Sequence, residues 1–327
     1  MRNGTGPLIR TEEGVWRAEN ENTELTSYQT NLLYYLNSLD MLFNKAKEKS
    51  EFDYLWALSR LKGIEPEGLD PLETIKDVRD SFEVVNKKIG NWHNTAGNFA
   101  LFRYGLIVES DEIYRILINL ARAANDEAYT TRPFPPVVVS GETYFQTPIQ
   151  KIKAIKSTCR SAGITLRLFG RFYDNKLRNA IFHSNYYISE GEVHIPGTNR
   201  VTYDQEKLLS LLNNTFAFSD ALIILLDTHR AEYQDNIEIQ GTHHFTGTIA
   251  IVIIKEDKGF TGLIERDGPQ QAKYRMGIFT PEDMRLINQG TYKLPKSKNT
   301  KTQEIIDKFP RRLQPYVGRY YRKKLKP

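Results

Sequence analysis

The sequence predicts a mainly α fold, a bundle of about six helices followed by a small β-containing module and a basic C-terminal tail. Three observations carry this expectation. Apolar residues recur every three to four positions in a succession of segments before residue 235. Between residues 238 and 290 the period shortens and β-branched residues concentrate. Residues 291–327 hold twelve Lys/Arg and two acids, a balance of +10, so the +5 of the whole chain leaves −5 on residues 1–290.

Residues 1–22, polar and glycine-containing, are expected to form a loose arm, and residues 23–235 a helical domain. From residue 24 to about 49 the chain reads as a helix, because Leu32, Leu33, Tyr35, Leu36, Leu39, Leu42 and Phe43 recur on one face. Asp70-Pro71 opens a second: a first-turn amide has no helical partner, so proline is harmless there, and Ile75, Val78, Phe82 and Val85 follow at helical spacing. Ser110 suits an N-cap, with Asp111 and Glu112 at the positive end of the helix dipole and Ile113, Ile116, Leu117, Leu120 and Ala124 as the buried stripe. Prolines at 133, 135 and 136 interrupt the pattern over residues 132–141, which read as a long connector or a short edge strand. Helical periodicity resumes at Pro148 with Ile149, Ile152, Ile155 and Cys159, and again from residue 172 to 183. A last helix follows Thr202 and Gln205, read as a capping box, with Leu208, Leu209, Leu212, Phe216, Leu222, Ile223 and Leu226. In the module at 238–290, residues 245–254 read as a strand, 256–259 as a turn, 260–265 as its hairpin partner and 273–279 as a third strand.

At 327 residues and 40% hydrophobic content the chain can bury one large core or two modest ones, and two domains are expected. The single cysteine, Cys159, excludes an intrachain disulfide and a cysteine-based zinc site, and reads as a small apolar packing residue rather than a nucleophile. His243 and His244 are neighbours in a strand-like segment and would point to opposite faces, so one metal ion could not readily use both. With no P-loop and no glycine-rich dinucleotide loop, neither a metal nor a cofactor is expected. The longest apolar run of the last helix, residues 221–226, falls short of the roughly 20 residues that cross a bilayer. The first seven residues are polar and lack a signal core, so cytoplasmic residence and no membrane partner are expected.

Chemistry concentrates in Leu177-Arg178-Asn179-Ala180-Ile181-Phe182-His183-Ser184-Asn185-Tyr186. Arginine is a permanent cation that can clamp a phosphate, and histidine moves protons near neutral pH. On a helix, Asn179 and His183 share a face, as do Leu177 and Ile181, so one helix can bury an apolar stripe and present a polar pair. Arg178 and His183, five apart, diverge by about 140° at 3.6 residues per turn. Either the helix ends at His183 and frees the imidazole to turn, or Arg178 and His183 from two protomers line one cleft. Turn-prone Ser184-Asn185 and Ser189-Glu190-Gly191-Glu192 suit a hairpin-like exit toward Val193-His194-Ile195. Tyr186 and Tyr187 are candidates for stacking on RNA bases, with packing as the alternative. In the tail, Arg311, Arg312, Arg319, Arg322, Lys323 and Lys324 are interleaved with Tyr316, Tyr320 and Tyr321, a composition for phosphate contact plus base stacking or for a solvated terminus.

Arg178-Asn179-x-x-x-His183 resembles the signature of the HEPN superfamily: an arginine, a polar residue directly after it, and a histidine four to six residues beyond the arginine. The resemblance covers this short motif and, more loosely, the helical region around it, but not the C-terminal third. It implies an all-α bundle with the motif near the end of a late helix, and a metal-independent endoribonuclease working as a homodimer whose active site forms at the twofold interface. By that resemblance His183 transfers protons, Arg178 holds the phosphate, and Asn179 orients the imidazole or contacts the scissile group. The products would be a 2′,3′-cyclic phosphate and a 5′-hydroxyl. RNA and a second copy of the chain are the implied partners; a toxin-like role in stress response or antiviral defence leaves room for an antitoxin or regulatory partner. Superfamily members also serve as non-catalytic RNA- or partner-binding modules, a reading that stays open here. So does a plain dimer seam built by residues 178–183.

Overall fold

The computed structural model describes residues 8–19, 24–60, 71–89, 94–139, 142–197, 200–233, 238–239, 250–255 and 259–265. The chain divides into two compact units, Met1–Leu58 with Asp70–His229, and Ser59–Leu69 with Arg230–Pro327. In chain order the elements are β1 (Leu8–Arg10), β2 (Trp16–Ala18), α1 (Ser27–Lys49), α2 (Glu51–Ser59), α3 (Pro71–Ile89), α4 (Asn94–Glu109), α5 (Asp111–Ala123), β3 (Val137–Val139), β4 (Glu142–Tyr144), α6 (Pro148–Ser161), α7 (Phe169–Phe172), α8 (Asn175–Phe182), β5 (Tyr187–Ser189), β6 (Glu192–Ile195), β7 (Val201–Tyr203), α9 (Gln205–Ala231), β8 (Glu238–Ile239), β9 (Ala250–Lys255) and β10 (Gly259–Glu265). The fold is mainly helical, with small antiparallel sheets of two and three strands.

In the first unit, α5 packs against α1 and α6, and α4 packs against α3 and α8. α1 starts at Thr26, whose hydroxyl accepts the Gln29 amide at 3.2 Å while Gln29 Oε1 accepts the Thr26 amide at 3.0 Å. It buries Leu32, Tyr35, Leu36, Leu39, Leu42 and Phe43 completely, and each such side chain contributes roughly 1.5–3 kcal/mol. The aromatic centre of this core stacks Phe172 on Phe218 with centroids 4.0 Å apart, and Tyr35 meets both rings edge-on. Tyr35 keeps its hydroxyl satisfied by donating to Asn214 Oδ1 at 3.0 Å on α9. A polar junction lies beside it. Asp220 on α9 accepts from the Tyr28 hydroxyl at 2.5 Å and faces Arg79 of α3 and Arg103 of α4, each at 3.6 Å.

Several elements depart from the sequence expectation for identifiable reasons. Residues 8–18 of the expected loose arm form a hairpin, because α1 offers a buried acceptor. Asp40, 1% exposed, accepts from Arg10 Nε at 2.7 Å and from Trp16 Nε1 at 2.8 Å, and faces His229 Nε2 at 2.7 Å. α2 and α4 have no single apolar stripe to read: Tyr54 to Ser59 are buried without a break, and α4 buries Ala96, Gly97, Ala100, Leu101, Arg103, Tyr104, Gly105, Ile107 and Val108 around its circumference. The proline-rich connector ends in a hairpin of β3 and β4. The helix expected over residues 172–183 breaks at Tyr173-Asp174 into α7 and α8. Thr202 lies in β7 and does not cap α9; Asp204 Oδ1 accepts the Lys207 amide at 2.8 Å instead.

α9 is long and apolar enough to cross a bilayer by length and composition, yet 72% of its apolar stretch is buried inside the protein, as befits a core helix. Cys159 is wholly buried, and burial pushes its thiol up to about 12. In the second unit the described strands form an antiparallel sheet in the order β10-β9-β8, with an irregularity between Phe260 and Gly262. The short β8 replaces no expected element. Residues 245–249, 256–258, 273–279, His243, His244 and the tail at 291–327 lie outside the described residues.

Candidate functional site

The site is built on α8, only eight residues long and held at both ends. At its start, Asp174 Oδ1 accepts the amides of Lys176 at 2.8 Å and Leu177 at 3.1 Å. The Tyr104 hydroxyl of α4 accepts the Asp174 amide at 3.0 Å and donates to the Asp174 carbonyl at 3.1 Å, clamping that cap to the neighbouring helix. Leu177 and Ala180 bury the inner face. The seam with α4 is close because Gly105 has no side chain. A Cβ there would meet Ile181 Cγ2 at 3.3 Å and the Phe182 ring at 3.4 Å.

The helix ends at His183, which occupies the C-cap position with φ −97°. Ser184 follows in the left-handed region at φ +50°, its amide donating to the Ile181 carbonyl at 3.1 Å, while the Asn185 amide donates to the Ala180 carbonyl at 2.8 Å. These two bonds are the Schellman pattern that satisfies a helix's last carbonyls. It turns the chain sharply after His183 and leaves that imidazole exposed, with no hydrogen-bond partner among the described residues.

Arg178 is held differently. Its Nε donates to the carboxylate of Glu109, the last residue of α4. Its Nη1 donates to Asn179 Oδ1 at 2.7 Å, and the guanidinium lies 5.3 Å from the Phe182 ring centroid. The Glu109 hydrogen bond and charge hold the guanidinium more firmly protonated than usual. Two of the five guanidinium N–H groups are engaged in these bonds and the side chain is about one-fifth exposed, which leaves three N–H donors outside those two bonds. Asn179 thus pairs with Arg178, the neighbour in sequence, and not with His183, its neighbour on the ideal helical face.

The tyrosines after the helix have separate roles. The Tyr186 hydroxyl donates to Asn98 Oδ1 of α4 at 2.9 Å and braces the exit loop. Tyr187 opens β5 and stacks on His194 of β6, centroids 4.8 Å apart and planes at 24°. The β5-β6-β7 meander realises the hairpin exit that Glu190-Gly191 suggests: both residues have positive φ, +52° and +80°, as a type I′ turn requires. Arg311, Arg312, Arg319, Arg322, Lys323 and Lys324 lie outside the described residues.

Sequence reasoning did not single out Glu109 or Tyr104. They stand 69 and 70 positions from their partners at Arg178 and Asp174, beyond any helical or strand period. The one available signal was the carboxylate directly before the Ser110 helix start. Among the described residues no group of three or more His, Cys, Asp or Glu is arranged to hold a metal ion. Comparison with protein families, with curated proteins and with solved structures finds no match for this chain.

Proposed function

We propose that the protein is a metal-independent endoribonuclease of HEPN type, acting as a homodimer in stress response or antiviral defence. The observation that carries this reading is the pairing, on one short helix, of an arginine fixed by Glu109 and Asn179 with donors to spare and an exposed histidine at the helix end. His183 of one copy takes the proton from a ribose 2′-hydroxyl, whose oxygen attacks the adjacent phosphorus. Charge accumulating on the phosphorane meets Arg178, and the imidazolium of the second copy gives a proton to the departing 5′-oxygen. The bond to the 5′-oxygen breaks, leaving a 2′,3′-cyclic phosphate and a 5′-hydroxyl. Asn179 sets the guanidinium plane through its 2.7 Å bond.

Single-stranded RNA of mixed sequence incubated with the purified full chain in EDTA tests the reading. Cleavage should proceed, and His183→Ala should slow it by about 10²–10⁴-fold, the usual contribution of a proton-transfer group. Absence of cleavage, or cleavage indifferent to His183→Ala, contradicts it.

A second reading, a non-catalytic RNA- or partner-binding protein, is favoured by one feature. Glu109 already neutralises Arg178, and no second acid or base is hydrogen-bonded to His183 among the described residues. RNA bound tightly and recovered intact would select it.

A further inference from the structure

The meander that begins four residues after His183 has two unlike faces. Strand register aligns Ile188, Val193 and Tyr203 in one cross-strand row, with Val193 and Tyr203 buried. Alternation along each strand turns the next row, Tyr187, His194 and Thr202, to the opposite face. In that row the imidazole of His194 is fixed from several sides. Its Nδ1 lies 3.1 Å from Thr202 Oγ1, its Nε2 lies 3.6 Å from Glu192 Oε2, and one face is covered by the Tyr187 ring. Tyr187 itself remains 48% exposed although one of its faces is against His194. The His194 side chain is only 13% exposed, so Tyr187 is the ring of the pair that meets solvent, and His194 backs it from one face.

Their position is tied to the α8 terminus. The Asn185 amide is bound to the Ala180 carbonyl and the Tyr186 hydroxyl to Asn98, so the loop between His183 and Tyr187 is pinned at two successive residues. Four residues span at most about 14 Å, which bounds the separation of the Tyr187 and His183 backbones and keeps Tyr187 near the proposed proton-transfer group. The Glu192 carboxylate beside the row repels phosphate, so a strand crossing here would turn its bases and not its backbone toward the rings.

We propose that Tyr187, backed by His194, is a stacking platform for an unpaired nucleobase of the RNA strand engaged at Arg178 and His183. The proposal rests on the ribonuclease reading. Stacking tolerates any base, because every base has a π-face, so the platform adds affinity without strict sequence choice. A cross-strand Tyr–His pair could instead serve only to stabilise the meander, and the two roles separate experimentally.

The test uses the full chain carrying His183→Ala, to suppress turnover, with a fluorescein-labelled single-stranded RNA. A second RNA carries 2-aminopurine at successive positions. Tyr187→Leu keeps an apolar side chain on β5 and removes the π-face; it should weaken binding by roughly tenfold, while Tyr187→Phe and Tyr187→Trp bind like the parent. In the parent, 2-aminopurine should be quenched at one or two adjacent positions, and Tyr187→Leu should remove that quench at saturating protein. Unchanged affinity together with an unchanged quench overturns the platform and leaves the ribonuclease reading standing. If Tyr187→Leu lowers the melting temperature, the parent decides alone: RNA bound with no position quenched overturns the platform. A parent that binds no RNA overturns the ribonuclease reading itself.

Discussion

Arg178 draws its geometry from Glu109, a residue 69 positions earlier in the chain. The carboxylate both aims the guanidinium and subtracts from its charge, and these two effects pull a substrate phosphate in opposite directions. Glu109→Gln keeps the size and one acceptor oxygen but removes the charge that holds the guanidinium, so it weakens both effects at once, and kcat and KM report them separately. We expect kcat to fall by about 10- to 100-fold as the guanidinium loses its fixed orientation, with KM unchanged or lower because a negative charge has left the site. A steady-state comparison on one RNA substrate checks this; parallel losses in melting temperature and protein yield with kcat intact would mean that Glu109 is merely structural. Asp40 shows the same logic in the core. Burial alone pushes its carboxyl up, but hydrogen bonds from His229 and Arg10 outweigh that and hold it below the ordinary carboxylate value. A depressed folded-state value stabilises the fold fully above the unfolded value of 3.8 and loses that contribution as pH falls through the lower one. Urea midpoints should therefore drop below about pH 4 in the wild type, and Asp40→Asn should show a lower midpoint and a flatter acid limb.

At the scale of elements, the α4–α8 seam depends on Gly105. Gly105→Ala gains about 1 kcal/mol of helix propensity and brings a methyl to 3.3–3.4 Å from Ile181 and Phe182, so the two effects nearly cancel and the melting temperature should stay close to wild type. Gly105→Val adds further methyls to the same seam, and overpacking should destabilise by about 1–3 kcal/mol while displacing α8 and its arginine. Thermal unfolding read beside RNA cleavage distinguishes them; a neutral valine would show that the seam is loose. These contacts also explain what could be read in advance. α1, α3 and α6 each expose one face and bury another, so their periodicity is visible in the sequence, whereas α5 and α9 are buried over most of their length and are legible from their apolar residues at helical spacing. α2 and α4 are buried on several sides and leave no stripe. The hairpin at residues 8–18 owes its order to Asp40 on another element, and Thr202 gave way to Asp204 as the start of α9 because the strand pairing of β7 claims it. The helix end at His183 was legible because Ser184-Asn185 carries turn chemistry locally, whereas the partners of Arg178 come from α4 and carry no local mark.

For the whole molecule, charge is the property that the sequence states most directly. Residues 1–290 carry −5 and residues 291–327 carry +10, so attraction for a polyanion resides in the terminal stretch. Deleting residues 311–327 removes seven basic residues and no acid, which turns the net charge from +5 to −2. RNA affinity should fall and its logarithmic dependence on salt should flatten by about 0.7 per lost phosphate contact; an unchanged slope would dismiss the tail as a ligand for RNA. The catalytic claim stands on α8 and not on that tail. It is tested most directly by the chemistry of the ends that the full chain leaves on single-stranded RNA in EDTA. The account predicts 2′,3′-cyclic phosphate and 5′-hydroxyl ends that disappear with His183→Ala; intact RNA, or fragments ending in a 3′-hydroxyl and a 5′-phosphate, would contradict it.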